Sequence, residues 1–208
     1  MFAFERNRVT ATDMQPGPLP ARLHLLATGV LFALLLAIAF PLLSTLPVMP
    51  LVILTTLALL LARTMAVDLC YFLLLDIYTL AILALGLASP FLMGAGALWY
   101  YAPIGALVGL GVGLLLAFIT AKLKGDTVTE HIGGGDIKML AAIGAWTGPT
   151  ELFTAIVLIA FFGFGVAAFA QRDGKTPYGP ALCLGLWVTI IYNSEVAGLF
   201  NRLYQFIW

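Results

Sequence analysis

From Leu23 to Ala62 the chain carries no Asp, Glu, Lys or Arg, and from Ile77 to Ala121 it again carries none. Apolar stretches that long belong in a bilayer, whose core is crossed by roughly 20 residues of helix. Over the whole chain 62% of residues are apolar and 10% charged, against roughly 25% charged in a soluble domain. The expected fold is therefore all-α: a polytopic membrane helix bundle in contact with the lipid bilayer, with no separate soluble domain. Net charge is zero, so nothing points to a nucleic-acid partner.

Hydropathy divides the chain into about seven membrane segments. Residues 1–21 read as an N-terminal tail, kept from helix by Pro16, Pro18 and Pro20. With no cleaved signal peptide evident, a first span is predicted at 22–44 and a membrane domain over 45–208. Within that domain spans are expected at 49–68, 72–90, 102–121, 151–170 and 178–198. The loop 91–98 is glycine-rich, and Trp99, Tyr100 and Tyr101 after it suit an interfacial aromatic belt. Lys122 to Gly135 is the most polar internal stretch and reads as a loop. From Asp136 a short helix reaches Trp146, at about 11 residues too short to cross unaided; Gly148-Pro149 ends it.

Positive residues set the orientation. With the N-terminus in the cytoplasm and alternating segments, Arg6, Arg8, Arg22, Arg63, Lys122, Lys124, Lys138, Arg172 and Lys175 fall on the cytoplasmic side. Only Arg202 falls outside. This predicts a multi-pass protein of the inner (cytoplasmic) membrane. It also places Asp68 and Asp136 at the same cytoplasmic face, although neither was used to draw the segment boundaries.

Of ten acidic residues, Glu5, Asp13, Asp126, Glu130 and Asp173 lie in tail or loops. Glu151 suits a helix start, and Glu195 lies near the last membrane exit. Asp68, Asp76 and Asp136 remain, each costly if turned to lipid. Asp68 and Asp76 either share one helix face or flank a break between two spans, in which case Asp76 is a cap or a substrate-side polar group. Asp136 follows Gly133-Gly134-Gly135, which lets backbone turn tightly and approach another chain closely. The plain alternative is a glycine turn with Asp136 as N-cap and Lys138 as interfacial anchor.

Two carboxyls sharing a site keep one proton between them, because like charges repel. The ionised member takes a proton from water while the protonated one polarises a carbonyl, the chemistry of an aspartic protease. It needs no metal or other cofactor. The two histidines, His24 and His131, are far apart, no Cys-x-x-Cys pair occurs, and Cys70 and Cys183 read as small buried apolar residues. No Gly-x-Ser-x-Gly occurs either.

At these residues the chain resembles a known family. The run Gly133-Gly134-Gly135-Asp136-Ile137-Lys138-Met139-Leu140-Ala141-Ala142-Ile143-Gly144-Ala145-Trp146 is similar to the GxGD block of the prepilin peptidases, the type IV leader peptidases, which are membrane aspartic proteases. Thr176-Pro177-Tyr178-Gly179-Pro180-Ala181-Leu182 resembles their PFGP-type segment, and Asp68 with Asp76 resembles their first aspartate and its downstream D or N. The resemblance covers about residues 60–195. It implies Asp68 and Asp136 as the catalytic pair, with Asp76, Gly133, Gly135 and Lys138 in support, and it keeps Asp76 open as the partner of Asp136. The stretch Leu69 to Leu75 departs from the family in having no basic residue and no proline. Larger members carry a cysteine-containing N-terminal region linked to N-methylation, so a short form is expected, a six-segment core with one added N-terminal span.

The expected function is removal of leader peptides from prepilin-like membrane substrates (type IV or Flp-type pilins, pseudopilins) at the cytoplasmic face. The substrate helix is expected against small-residue spans such as Gly105 to Gly113, where the other reading is ordinary helix packing. Two alternatives stand beside this one: a GxGD protease with another membrane substrate, or a catalytically silent assembly or transport protein on the same scaffold.

Overall fold

A computed structural model of the chain describes residues 21–93, 99–124, 133–170 and 176–192. The tail, the polar loop centre at 125–132, the loop at 171–175 and the end of the last predicted span at 193–198 lie outside the described residues. All the described elements are helices: α1 (Ala21–Leu43), α2 (Val48–Tyr71), α3 (Asp76–Leu92), α4 (Tyr101–Lys124), α5 (Gly134–Ala170) and α6 (Gly179–Tyr192). By length and composition α1, α2, α4 and α5 can each cross a membrane, and α3 and α6 are shorter apolar helices. The protein is an all-α, multi-pass membrane bundle.

The expected fifth and sixth segments are the two helical stretches of α5, which meet at a kink. Gly148 sits at φ 70° and ψ 176°, followed by Pro149 inside α5. A left-handed φ suits glycine, and proline removes the hydrogen bond that would bridge the bend. The backbone is non-helical at Gly148, so α5 consists of two helical stretches, the first ending where Gly148-Pro149 predicts.

Between Asp68 and Asp76 the chain does break. Phe72 adopts φ 53° and ψ 39°, and its N–H reaches back to the Asp68 carbonyl at 2.8 Å. This left-handed closure stops α2, and α3 opens at Asp76. The two carboxylates are thus on different helices, the second of the two arrangements expected from their spacing.

Leu57, Ala58, Leu61 and Met65 of α2 form the core with Met139 and Ile143 of α5 and Leu186 and Trp187 of α6. Trp187 Nε1 donates to the Leu35 carbonyl at 3.0 Å, which ties α6 to α1 through a carbonyl in the middle of a span. Outside, large apolar residues such as Phe40, Leu107, Phe153 and Phe164 are exposed, as a lipid-facing surface requires.

The tightest seam joins α4 to the first half of α5. A Cβ placed on Gly105 would lie 2.0 Å from the Gly144 carbonyl oxygen, and one on Gly109 2.2 Å from that of Leu140. Both obstacles are backbone, which cannot rotate away. Close approach through small residues is how membrane helices gain packing contact without a hydrophobic drive. The face of α4 expected to receive a substrate is therefore occupied by α5. Packing within the chain is the reading the structure supports for Gly105, Gly109 and Gly113.

Candidate active site

Asp68 stands in the last turn of α2, only 2% exposed. Its Oδ2 accepts a hydrogen bond from the backbone N–H of Gly179 at 2.7 Å. Gly179 is the first residue of α6, so the carboxylate also faces the positive end of a helix. A Cβ at Gly179 would lie 2.8 Å from both Cβ and Oδ2 of Asp68. Only glycine brings the amide this near. Pro180 behind it sits in the first turn, where its missing N–H costs no intrahelical bond.

Asp136 enters from the opposite side, in the first turn of α5. The carbonyl of Gly133 accepts from the Asp136 amide at 3.0 Å and starts the helix. Asp136 Oδ1 is buried and has no hydrogen-bond partner among the described residues. Asp68 is near enough to act on Asp136 directly through its charge, and it acts likewise on Cys183, one turn along α6 from Gly179. Two helix ends thus bring a pair of carboxyls together in a largely apolar setting.

The third carboxylate stays apart. Asp76 is exposed at the start of α3, and its Oδ2 takes an ion pair from Lys138 Nζ at 2.6 Å. Lys138 is one turn or less from Asp136, so the pair pins the start of α3 to the start of α5. Gly135 does the same through backbone. A Cβ there would lie 2.7 Å from Leu74 Cβ and 3.1 Å from the Leu74 carbonyl oxygen. A Cβ at Gly133 would make only an ordinary contact with the Asp136 carboxylate, and one at Gly134 would meet open space. Farther along, Trp146 Nε1 donates to the Ile82 carbonyl at 2.9 Å, fixing α5 to α3.

The structure therefore groups Asp68 with Asp136, and Asp76 with Lys138. Sequence reasoning gave no role to Gly179. The signal was present in Pro177-Tyr178-Gly179-Pro180, a glycine between two prolines at a helix start, but its partner lies 111 positions away. Among the described residues no group of three His, Cys, Asp or Glu is placed to hold a metal.

Residues 53–168 match the type IV leader peptidase family. The chain is 35% identical over 103 residues to the prepilin leader peptidase/N-methyltransferase of Dichelobacter nodosus, covering 47% of this chain and 34% of that protein. It is 32% identical over 137 residues to the protein of the same description from Aeromonas salmonicida strain A449, with 62% and 45% covered. Against the type 4 prepilin-like proteins leader peptide-processing enzyme of Escherichia coli O78:H11 it is 32% identical over 130 residues, covering 61% and 46%. The chain thus spans between about a third and a half of the length of these relatives. No solved structure matches it significantly. The family match includes most of α2, all of α3 and α4 and most of α5, and leaves out α1 and α6.

Proposed function

The chain belongs to the type IV leader peptidase family, and on that premise we propose that it is an aspartic endopeptidase that removes the leader of prepilin-like membrane proteins. The observation that carries this reading is the convergence of Asp68 and Asp136 from two helix ends, with Asp136 Oδ1 buried and without a hydrogen-bond partner among the described residues.

In the reading, the pair shares one proton and titrates as a unit. The ionised carboxyl takes a proton from a water molecule as the water oxygen attacks the scissile carbonyl carbon. The protonated carboxyl gives its proton to the carbonyl oxygen. The tetrahedral diol then collapses: the C–N bond breaks, the leaving amine takes up the proton first removed from water, and a diol hydroxyl returns its proton to the other carboxylate, which restores the pair. Gly179 N–H fixes Asp68 and does not touch substrate, so it is a positioning group. Asp76 and Lys138 hold the two helix starts in register.

Lys122 at the end of α4 and Lys138 at the start of α5 stand at the same end of the bundle as Asp68 and Asp136. The positive-inside bias makes this the cytoplasmic side of the inner membrane. A leader cut there is a short segment preceding an apolar helix that stays in the bilayer.

Co-expression with a prepilin, scoring leader removal on a gel, tests the reading. Asp68→Asn and Asp136→Asn are expected to abolish cutting, while Asp76→Asn retains part of it. Cutting that survives Asp136→Asn sinks the aspartic mechanism. Loss with Asp76→Asn but not with Asp68→Asn moves the partner to Asp76.

A further inference from the structure

Arg63 lies in α2 about two turns before its end, some 12 Å along the axis, and faces away from the carboxyl pair. Its Nε donates to Tyr78 Oη on α3 and its Nη1 to Thr28 Oγ1 on α1, each at 3.3 Å. Both acceptors are neutral. Thr28 passes its own proton to the His24 carbonyl at 2.8 Å, so its oxygen is turned to receive from Arg63. One turn nearer the start of α1, His24 Nε2 bonds Tyr71 Oη at 2.6 Å with the rings stacked, and His24 Nδ1 is buried without a partner.

Helices α1 and α3 both pack on α2 but share almost no contact with each other. Arg63 is therefore on the floor of a cleft, with Thr28 on one wall and Tyr78 on the other. The residues beside these walls are apolar and exposed: Leu25 on α1 and Ile77 on α3. In a bilayer those residues meet acyl chains.

A guanidinium among apolar helices needs an anion. Among the described residues none is in reach, for Asp68 is engaged by Gly179 and Asp76 by Lys138. The cleft opens at the bundle end where α1 begins and α2 finishes, the depth of lipid headgroups, to which arginine side chains extend. Basic pockets between membrane helices hold anionic headgroups, and the arginine fork matches two phosphate oxygens at once.

The geometry points to a binding site for the phosphate of an anionic phospholipid in the α1–α3 cleft, with Arg63 as its base. Tyr78 and Thr28 orient the guanidinium, and the apolar residues beside them take the chains. The site is separate from the carboxyl pair and does not depend on the peptidase reading.

Native mass spectrometry of the full chain in mild detergent tests it, titrating phosphatidylglycerol against phosphatidylcholine of the same acyl chains. The expected result is one phosphatidylglycerol held at least about tenfold more tightly, the scale of one charge-assisted contact. Arg63→Gln, with its helix content unchanged by circular dichroism, is expected to lose that excess. If Arg63→Gln does not fold, Arg63→Lys carries the test: it keeps the charge but lacks the fork, and the excess is expected to fall several-fold. An excess unchanged in the folded variant overturns the proposal. Inorganic phosphate that raises the melting midpoint as much as phosphatidylglycerol also overturns it, making the site one for a free anion.

Discussion

The α4–α5 seam and the carboxyl site share one helix, yet they are held together in opposite ways. At the seam, Gly105 and Gly109 bring backbone against backbone, with nothing polar exchanged. At the site, a buried carboxylate and the amide of Gly179 meet through a directed hydrogen bond, while Asp76 and Lys138 meet as an exposed ion pair. The seam depends on shape; the site depends on chemistry and, at Gly135 and Gly179, on shape as well. In lipid this division is expected. Burial between helices has no hydrophobic drive, so close contact must do structural work, while polar groups are few and kept where they act.

The comparison is sharpest where shape and chemistry are separated by single substitutions. The largest effect is expected from Asp136→Asn, which keeps the shape and removes the proton exchange. Leader removal should fall by about a thousandfold or more, in the upper range of general acid–base contributions, with no loss of melting temperature. A gel assay and a thermal melt on the same preparation read both.

Gly179→Ala comes next. The added methyl collides with Asp68 and moves the amide off its oxygen. A displacement on the order of 1 Å costs roughly a hundredfold in rate, so cutting should drop to that extent while the protein still folds. Full activity would show that the Asp68–Gly179 bond has no part in the reaction.

Gly105→Ala should do the reverse: it leaves every site residue in place and forces α4 from α5. Overpacking of this kind costs about 1–3 kcal/mol, more where backbone is the obstacle, and a thermal melt in detergent should shift downward accordingly. Gly111→Ala, on the same helix with nothing near it, is the matched control. Replacing a helical glycine by alanine where space allows is expected to stabilise by about 0.5–1 kcal/mol. If Gly105 and Gly111 respond alike, the seam is not where the structure puts it.

The smallest effect is expected from Lys138→Met. An exposed ion pair contributes about 0–1 kcal/mol, so the melt should barely move. Cutting is expected to fall only modestly, through looser register between the starts of α3 and α5. Loss as deep as that of Asp136→Asn would place Lys138 in the chemistry.

Much of the architecture could be read locally. Runs of apolar residues located every described helix, and predicted boundaries such as 102–121 for α4 and 151–170 for the second part of α5 lie within a few residues of those observed. The start of α3 was harder. An unbroken apolar stretch from Leu69 to Leu75 gives no polar mark for a turn, so the predicted start at residue 72 precedes the observed start at Asp76, and the left-handed Phe72 locates the break. Gly148-Pro149 marked the break between the two helical stretches of α5, and the backbone is non-helical at Gly148.

By itself the sequence determined that this chain is a helical membrane protein, which family it belongs to, and which three carboxylates are out of place in lipid. These follow from properties carried by each residue or its near neighbours: transfer free energy, chain length and motif. Tertiary structure alone decided that Asp68 and Asp136 come within electrostatic reach of each other while Asp76 goes to Lys138, and that Gly179 holds Asp68 from 111 positions away. It also decided that the α4 glycines are filled by α5 and that Arg63 spans a cleft between two other helices. Such pairings depend on how helices cross and which faces they bury. Many sequences with the same hydropathy leave those choices open until the whole bundle packs.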